Sequence, residues 1–170
     1  MKQQGFAYKF ADEIADNICA EYIFAKKYIL YTKADQKLTS VLFQAIDPNF
    51  FTEYSVGEIL VAGYNFGSGP IRERIFQVMK AAGINIIIAK SFASFFYRAA
   101  FSAGFLLLEA NTDFINDKDE IEIMLKDQLI RNLTRRIGFV VQSIPKAYLR
   151  LYNDGGILAH LHKHGLYNLV

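Results

Sequence analysis

The chain of 170 residues has one cysteine, Cys19, three prolines and no tryptophan. A single thiol rules out an internal disulfide and fits a reducing compartment, so the cytoplasm is the expected location. It also rules out an iron–sulfur cluster held by this chain alone, because such clusters need several thiolates. No apolar run approaches the roughly 20 residues that cross a bilayer, which argues against a membrane partner. The opening Met1-Lys2-Gln3-Gln4-Gly5-Phe6 lacks the apolar core of a secretory signal. A formal net charge of only +2 is too small to mark a nucleic-acid binder. Internal repeats, low-complexity tracts and Pro/Gly-rich linkers are missing too, so residues 1–170 read as one domain.

What is present is a composition of 52% hydrophobic and 21% charged residues, which is that of a globular chain able to bury a core. Residues 6–10 alternate loosely, as an opening strand would, and residues 12–20 read as a loop. A short helix is expected over 39–46, a turn at Asp47-Pro48-Asn49, and a short apolar strand over 58–62. Pro70 suits the first position of a following helix, because its missing N–H would be unpaired there. Glu73 would then lie in the first turn, where the helix dipole favours a carboxylate. Ile75, Val78, Met79 and Ala82 recur at helical spacing, and Gly83 ends that helix. Residues 84–89 form a buried strand. Ser91 caps the next helix, which runs through Tyr97 and Phe101 to Gly104. Residues 105–108 and 137–141 read as strands, 117–133 as a helix with polar faces, and 157–164 as a terminal helix. Strands alternating with helices give an α/β fold with a parallel component.

The chemistry concentrates in Gly63-Tyr64-Asn65-Phe66-Gly67-Ser68-Gly69-Pro70-Ile71-Arg72-Glu73-Arg74. A helix start after a glycine turn presents free N–H groups and the positive end of a dipole to an anion. Gly67 and Gly69 allow a ligand near the backbone. Arg72 adds a planar, two-pronged donor matched to a carboxylate. The competing reading is a plain turn in which Arg72 pairs with an acidic neighbour. The dinucleotide fingerprint is incomplete, since Arg72 stands where its third glycine would be, and without Gly-Lys-Ser/Thr there is no P-loop.

Asn65-Phe66-Gly67-Ser68-Gly69, Arg72-Glu73, Ala89-Lys90-Ser91-Phe92-Ala93 and Phe96-Tyr97-Arg98 follow the order and spacing of the swivel domain of the aconitase superfamily. Leu133-Thr134-Arg135-Arg136-Ile137-Gly138 and Asp154-Gly155-Gly156-Ile157-Leu158-Ala159-His160 extend the likeness. The chain resembles most the separate small subunits of 3-isopropylmalate dehydratase and homoaconitase. The resemblance implies a swivelling β/β/α domain. It also implies a hydro-lyase of leucine biosynthesis whose large subunit is the partner. That subunit holds a [4Fe–4S] cluster on three cysteines and uses one iron as a Lewis acid toward the substrate. No cofactor is implied on this chain. The implied substrate is a small dicarboxylate hydroxy acid.

In the family, a Gly-x-Gly-Ser-Ser-Arg-Glu turn supplies a serine base and a carboxylate-binding arginine. Here Arg72 matches the arginine, Pro70 the serine base and Ile71 the second serine. Neither Pro70 nor Ile71 accepts a proton through its side chain. Loss of a general base typically lowers a rate by roughly 10²–10⁴-fold. Ser68, and Asp16 in the first loop, are the candidate substitutes. Asn17 occupies the acidic place in Asp12-Glu13-Ile14-Ala15-Asp16-Asn17 without its charge. The family's specificity loop maps to Tyr28, Ile29, Leu30 and Tyr31. Ile29 and Leu30 suit an isopropyl group there, whereas the extra carboxylate of a homoaconitase substrate, in lysine biosynthesis, would want an arginine. Core filling is the competing reading. With both serines gone, a catalytically silent paralogue that binds or regulates the large subunit is the alternative function. His160 and His164 share a helix face and suit a metal. No carboxylate is expected near them, so no metal is assigned.

Overall fold

The computed structural model describes residues 2–28 and 36–165. Its strands are β1 (Lys2–Lys9), β2 (Ile59–Ala62), β3 (Ile86–Ala89), β4 (Leu106–Glu109), β5 (Glu120–Met124), β6 (Leu129–Asn132) and β7 (Ile137–Val140). They form a seven-stranded sheet in the order β4-β3-β2-β1-β5-β6-β7. The β1 to β4 side is parallel, with Leu60 opposite Ile87 and Ile87 opposite Leu107. On its other edge β1 runs antiparallel to β5, and β5-β6-β7 continue as a meander. The helices are α1 (Ala20–Ile23), α2 (Gln36–Thr39), α3 (Phe50–Glu53), α4 (Arg74–Ala81), α5 (Ser94–Ala103), α6 (Lys146–Asp154) and α7 (Ile157–His164).

Strands β2 and β3, and β4 up to Glu109, are continuously apolar because both their faces are covered. Leu60, Ala62, Ile87, Ala89 and Leu107 point toward α4 and α5, where Ile75, Met79, Phe96 and Phe101 complete one core. Their neighbours Ile59, Val61, Ile88, Leu106 and Leu108 pack with Ile121, Ile123, Ile130 and Phe139 in a second core. The sheet therefore curls, and its antiparallel half covers the back of its parallel half. The layers are β, β and α, as the resemblance implied.

Residues 117–133 are not a helix. They fold into β5 and β6, whose Ile121, Ile123 and Ile130 are buried. Glu, Leu, Met, Lys and Gln favour a helix locally, but pairing with β1 from Lys2–Met124 to Phe6–Glu120 overrides that preference. Residues 40–46 are turns, and α2 lies just before them. Phe43 is left-handed (φ 56°) and its N–H goes to the Ile23 carbonyl at 3.0 Å, which stops a helix there. Pro70 is not the first helical residue, since α4 begins at Arg74 with Glu73 in the N-cap position. The first carbonyls to accept along this helix are those of Arg72 and Glu73. Ser91 does not cap α5. That position is Ala93, and α5 closes at left-handed Gly104. Helix α6 had no signal in the sequence reading, because Leu151 is its one buried residue. It is held instead by Tyr148, which stacks on Phe101 with ring centroids 4.0 Å apart.

Candidate functional site

Three loops meet at the carboxyl ends of the parallel strands, where open α/β sheets place their ligand crevices. The first, residues 15–20, follows β1. The second is the glycine turn after β2. The third, residues 90–93, follows β3. The Gly63 and Gly67 N–H groups donate to the Ala15 and Ile18 carbonyls at 2.9 and 2.7 Å, and the Ala20 N–H donates to the Ser68 carbonyl at 2.7 Å. On the other side the Phe66 N–H donates to the Ser91 carbonyl at 3.0 Å and the Ala93 N–H to the Phe66 carbonyl at 2.9 Å. The glycine turn is thus a bridge between two neighbouring loops.

Side chains complete the stitching. The Tyr64 N–H donates to Asp16 Oδ1 at 2.7 Å. The Asn65 N–H donates to Ser91 Oγ at 2.8 Å, and Asn65 Nδ2 donates to Asn17 Oδ1 at 3.0 Å. Both asparagines are left-handed, with φ 56° at Asn17 and 55° at Asn65, a conformation their short polar side chains tolerate. Asp16 and Asn17 therefore stand beside the glycine turn, and Ser91 orders it. That role for Ser91 was not legible as a cap signal.

The two glycines of the turn differ. Gly67 is buried at φ +80°, and a Cβ there would lie 2.1 Å from the Phe96 ring. Gly69 is exposed at φ +82°, and the nearest atom to its missing Cβ is Cys19 Cβ at 3.9 Å. Gly67 seats the turn on α5, while Gly69 leaves its backbone open. Arg72 is exposed and has no hydrogen-bond or ion-pair partner among the described residues. The competing reading, in which Arg72 pairs with an acidic neighbour, finds no such pair among the described residues. Pro70 is exposed, and Ile71 rests partly buried against the core.

Beside the turn is a polar pocket of about 300 Å³ lined by Tyr64, Lys90, Glu109, Asn111, Asp113 and Gln142. Lys90 Nζ lies 2.7 Å from Asp113, which holds the ammonium above its ordinary pKa, and 5.1 Å from the centre of the Tyr64 ring. These residues carry no spacing that a sequence reading would detect, since they come from four separate strand ends.

Tyr28 is partly buried and packs on Phe24 at 6.0 Å between centroids. Ile29, Leu30 and Tyr31 lie outside the described residues. The histidine reading needs a correction. Asp154 lies between His160 and His164, at 2.6 Å from His160 Nδ1 and 3.3 Å from His164 Nε2. Sequence spacing hid it because the chain reverses at Gly155-Gly156 between α6 and α7. Among the described residues no helix is long and apolar enough to cross a membrane.

Comparison with known proteins extends this picture along the chain. The 3-isopropylmalate dehydratase small subunit 2 of Archaeoglobus fulgidus is 36% identical over 165 residues, 97% of this chain and 98% of that one. The isopropylmalate/citramalate isomerase small subunit of Methanocaldococcus jannaschii is 33% identical over 162 residues, 94% of each chain. The crystal structure of a 3-isopropylmalate dehydratase from the same organism superposes with a TM-score of 0.87 at 33% identity, covering 96% of this chain and 95% of that one. Residues 3–113, which hold all three site loops, match the aconitase C-terminal domain. With fold, loop order and sequence in agreement over nearly its whole length, the chain belongs to the aconitase C-terminal domain family.

Proposed function

We propose that the chain is the small subunit of a 3-isopropylmalate dehydratase-type hydro-lyase. It works in the cytoplasm as one swivel domain, with a large subunit that supplies the iron–sulfur cluster. The observation that carries this reading is end-to-end likeness to dehydratase small subunits, combined with an exposed Arg72 that has no partner among the described residues and stands beside the glycine turn. Water is removed from a hydroxy dicarboxylate and returned with the hydroxyl on the adjacent carbon.

Within this chain, Arg72 grips a substrate carboxylate through two parallel N–H donors. The backbone of Gly67, Ser68 and Gly69 lines the same opening, where glycine lets a ligand approach closely. Gly67 supports them from below by its seat on Phe96. Residues 28–31 shape the side of the site that meets the substrate's alkyl group. The proton next to the carboxylate needs an acceptor, and Pro70 and Ile71 offer none. Ser68 and Asp16 are the nearest candidates on this chain. Asp16 already receives the Tyr64 N–H on Oδ1, so Ser68 or a group of the large subunit is the better placed base.

A second reading is favoured by Pro70 and Ile71 themselves: a silent paralogue that binds the large subunit without turnover. The test is anaerobic reconstitution with the large subunit, assayed with isopropylmalate and with citramalate, beside a Pro70→Ser/Ile71→Ser variant. Turnover by the natural chain at an enzyme-like rate establishes the dehydratase reading and places the base elsewhere. Turnover by the variant alone establishes the silent paralogue on an intact scaffold. Turnover by neither, with the complex formed, overturns the dehydratase reading.

A further inference from the structure

Apart from the glycine-turn site, the described residues hold one group of three metal-ligating side chains, Asp154, His160 and His164. Their donor atoms lie within 4.8 Å of one another. His160 and His164 are four residues apart on α7, so both imidazoles emerge on one face, the spacing by which a helix chelates zinc. Asp154 ends α6, and the Gly155-Gly156 reversal turns its carboxylate toward that face. The imidazole rings are 4.8 Å apart between centroids. An open pocket of about 370 Å³, lined by Arg150, Asn153, Asp154, His160 and His164, gives access.

We propose that Asp154, His160 and His164 form a site for one borderline divalent cation, Zn²⁺ foremost, that fastens α7 to α6. The donors would be Asp154 Oδ2, His160 Nδ1 and His164 Nε2. Neighbouring ligands of a tetrahedral zinc ion with bonds near 2.0–2.1 Å lie about 3.3 Å apart. The Asp154–His164 separation is already 3.3 Å. The Asp154–His160 separation of 2.6 Å is a hydrogen bond, and ion entry replaces its proton and opens the pair. Lys163 occupies Asp154 Oδ1 at 3.0 Å, leaving Oδ2 for the ion. Two imidazoles and one carboxylate suit zinc, cobalt or nickel over magnesium or calcium, which prefer all-oxygen shells. Three protein ligands leave a fourth position for water or for a side chain of a partner. His162 projects from another side of α7 and takes no part.

The experiment uses the full chain after chelator treatment. Co²⁺ is titrated and followed by its visible d–d absorption, and Zn²⁺ is followed by competition and by thermal midpoint. The expected result is one saturable equivalent in the natural chain and in His162→Gln. Binding should be at least tenfold weaker in His164→Gln and in Asp154→Asn, whose midpoints Zn²⁺ no longer raises. His164 is partly exposed, so His164→Gln tests the site even if Asp154→Asn fails to fold. The proposal is overturned by no saturable equivalent, by full binding in His164→Gln, by equal loss in His162→Gln, or by loss in Cys19→Ser.

Discussion

Two adjacent stretches of one loop behave differently. Residues 63–69 are tied by backbone and side-chain hydrogen bonds to the loops on either side. Residues 70–73 make no hydrogen bond to those loops among the described residues, and Arg72 stands exposed at their end. The resemblance maps the family's two serines onto Pro70 and Ile71, in the second stretch. The difference shows that the hydrogen-bonded bridge and the exposed stretch after it are separable parts of one loop. The bridge is held by Gly67, Asp16, Asn17, Asn65 and Ser91, and Pro70 and Ile71 lie outside it.

The sharpest way to break this contrast is Gly67→Ala. A left-handed non-glycine residue costs roughly 1–2 kcal/mol and forced overpacking roughly 1–3 kcal/mol, giving about 3 kcal/mol in all. A urea midpoint should fall accordingly, and an unchanged midpoint would show that the turn is not seated on Phe96. Arg72→Ala should do the reverse. Stability should hold within about 0.5 kcal/mol, as for an exposed side chain without partners. Substrate affinity of the assembled enzyme should drop by about 1.5–3 kcal/mol, roughly 10- to 100-fold, the range for charged hydrogen bonds. A stability loss without an affinity loss would make Arg72 structural. Gly69→Ala comes next, at about 1 kcal/mol, because only its backbone conformation resists the change. If Gly67→Ala and Gly69→Ala prove equal, the division between seat and opening fails.

The smallest effect lies in the antiparallel half and serves as the reference for the others. Glu122 is hydrogen-bonded by Lys2 at 2.6 Å and faces Arg131 at 3.6 Å. Lys2 first, and then Arg131, hold its pKa below the ordinary carboxylate value. A depressed folded value means the stabilisation is complete above the unfolded pKa and is lost as pH falls through the folded one. Glu122→Gln should therefore lower the urea midpoint at neutral pH. The two midpoints should converge as pH drops below the carboxylate range. A gap that persists in acid would assign the effect to packing.

The parallel half was readable because burial on two faces writes continuous apolar runs, as in Ile59-Leu60-Val61-Ala62, closed by turn residues. The antiparallel half was misread because Glu, Leu, Met, Lys and Gln over 117–133 favour a helix locally, and the alternation of Glu120 to Ile123 is too short to outweigh them. Helix α6 escaped because it contributes mostly rims of aromatic contact and little buried apolar stripe. In the candidate site, the glycine turn and Arg72 were legible from local order along the chain. The Asp16 bond to Tyr64, the Ser91 bond to Asn65, and the place of Asp154 beside two histidines were not. Each depends on segments brought together by the sheet or by the Gly155-Gly156 reversal, and residue spacing carries no record of that.

The position of β1 at the centre of the sheet bears on how the protein is made. One edge of β1 pairs with β2, about 50 residues later, and the other with β5, whose residues 120–124 leave the ribosome far behind it. The parallel strands β2, β3 and β4 and helices α4 and α5 all emerge in between. During synthesis the swivel core, with its glycine turn, can assemble while β1 still has an open edge. A nascent chain stalled just past residue 115 would present that edge to any extended segment nearby. Translation through the following few residues is what closes it.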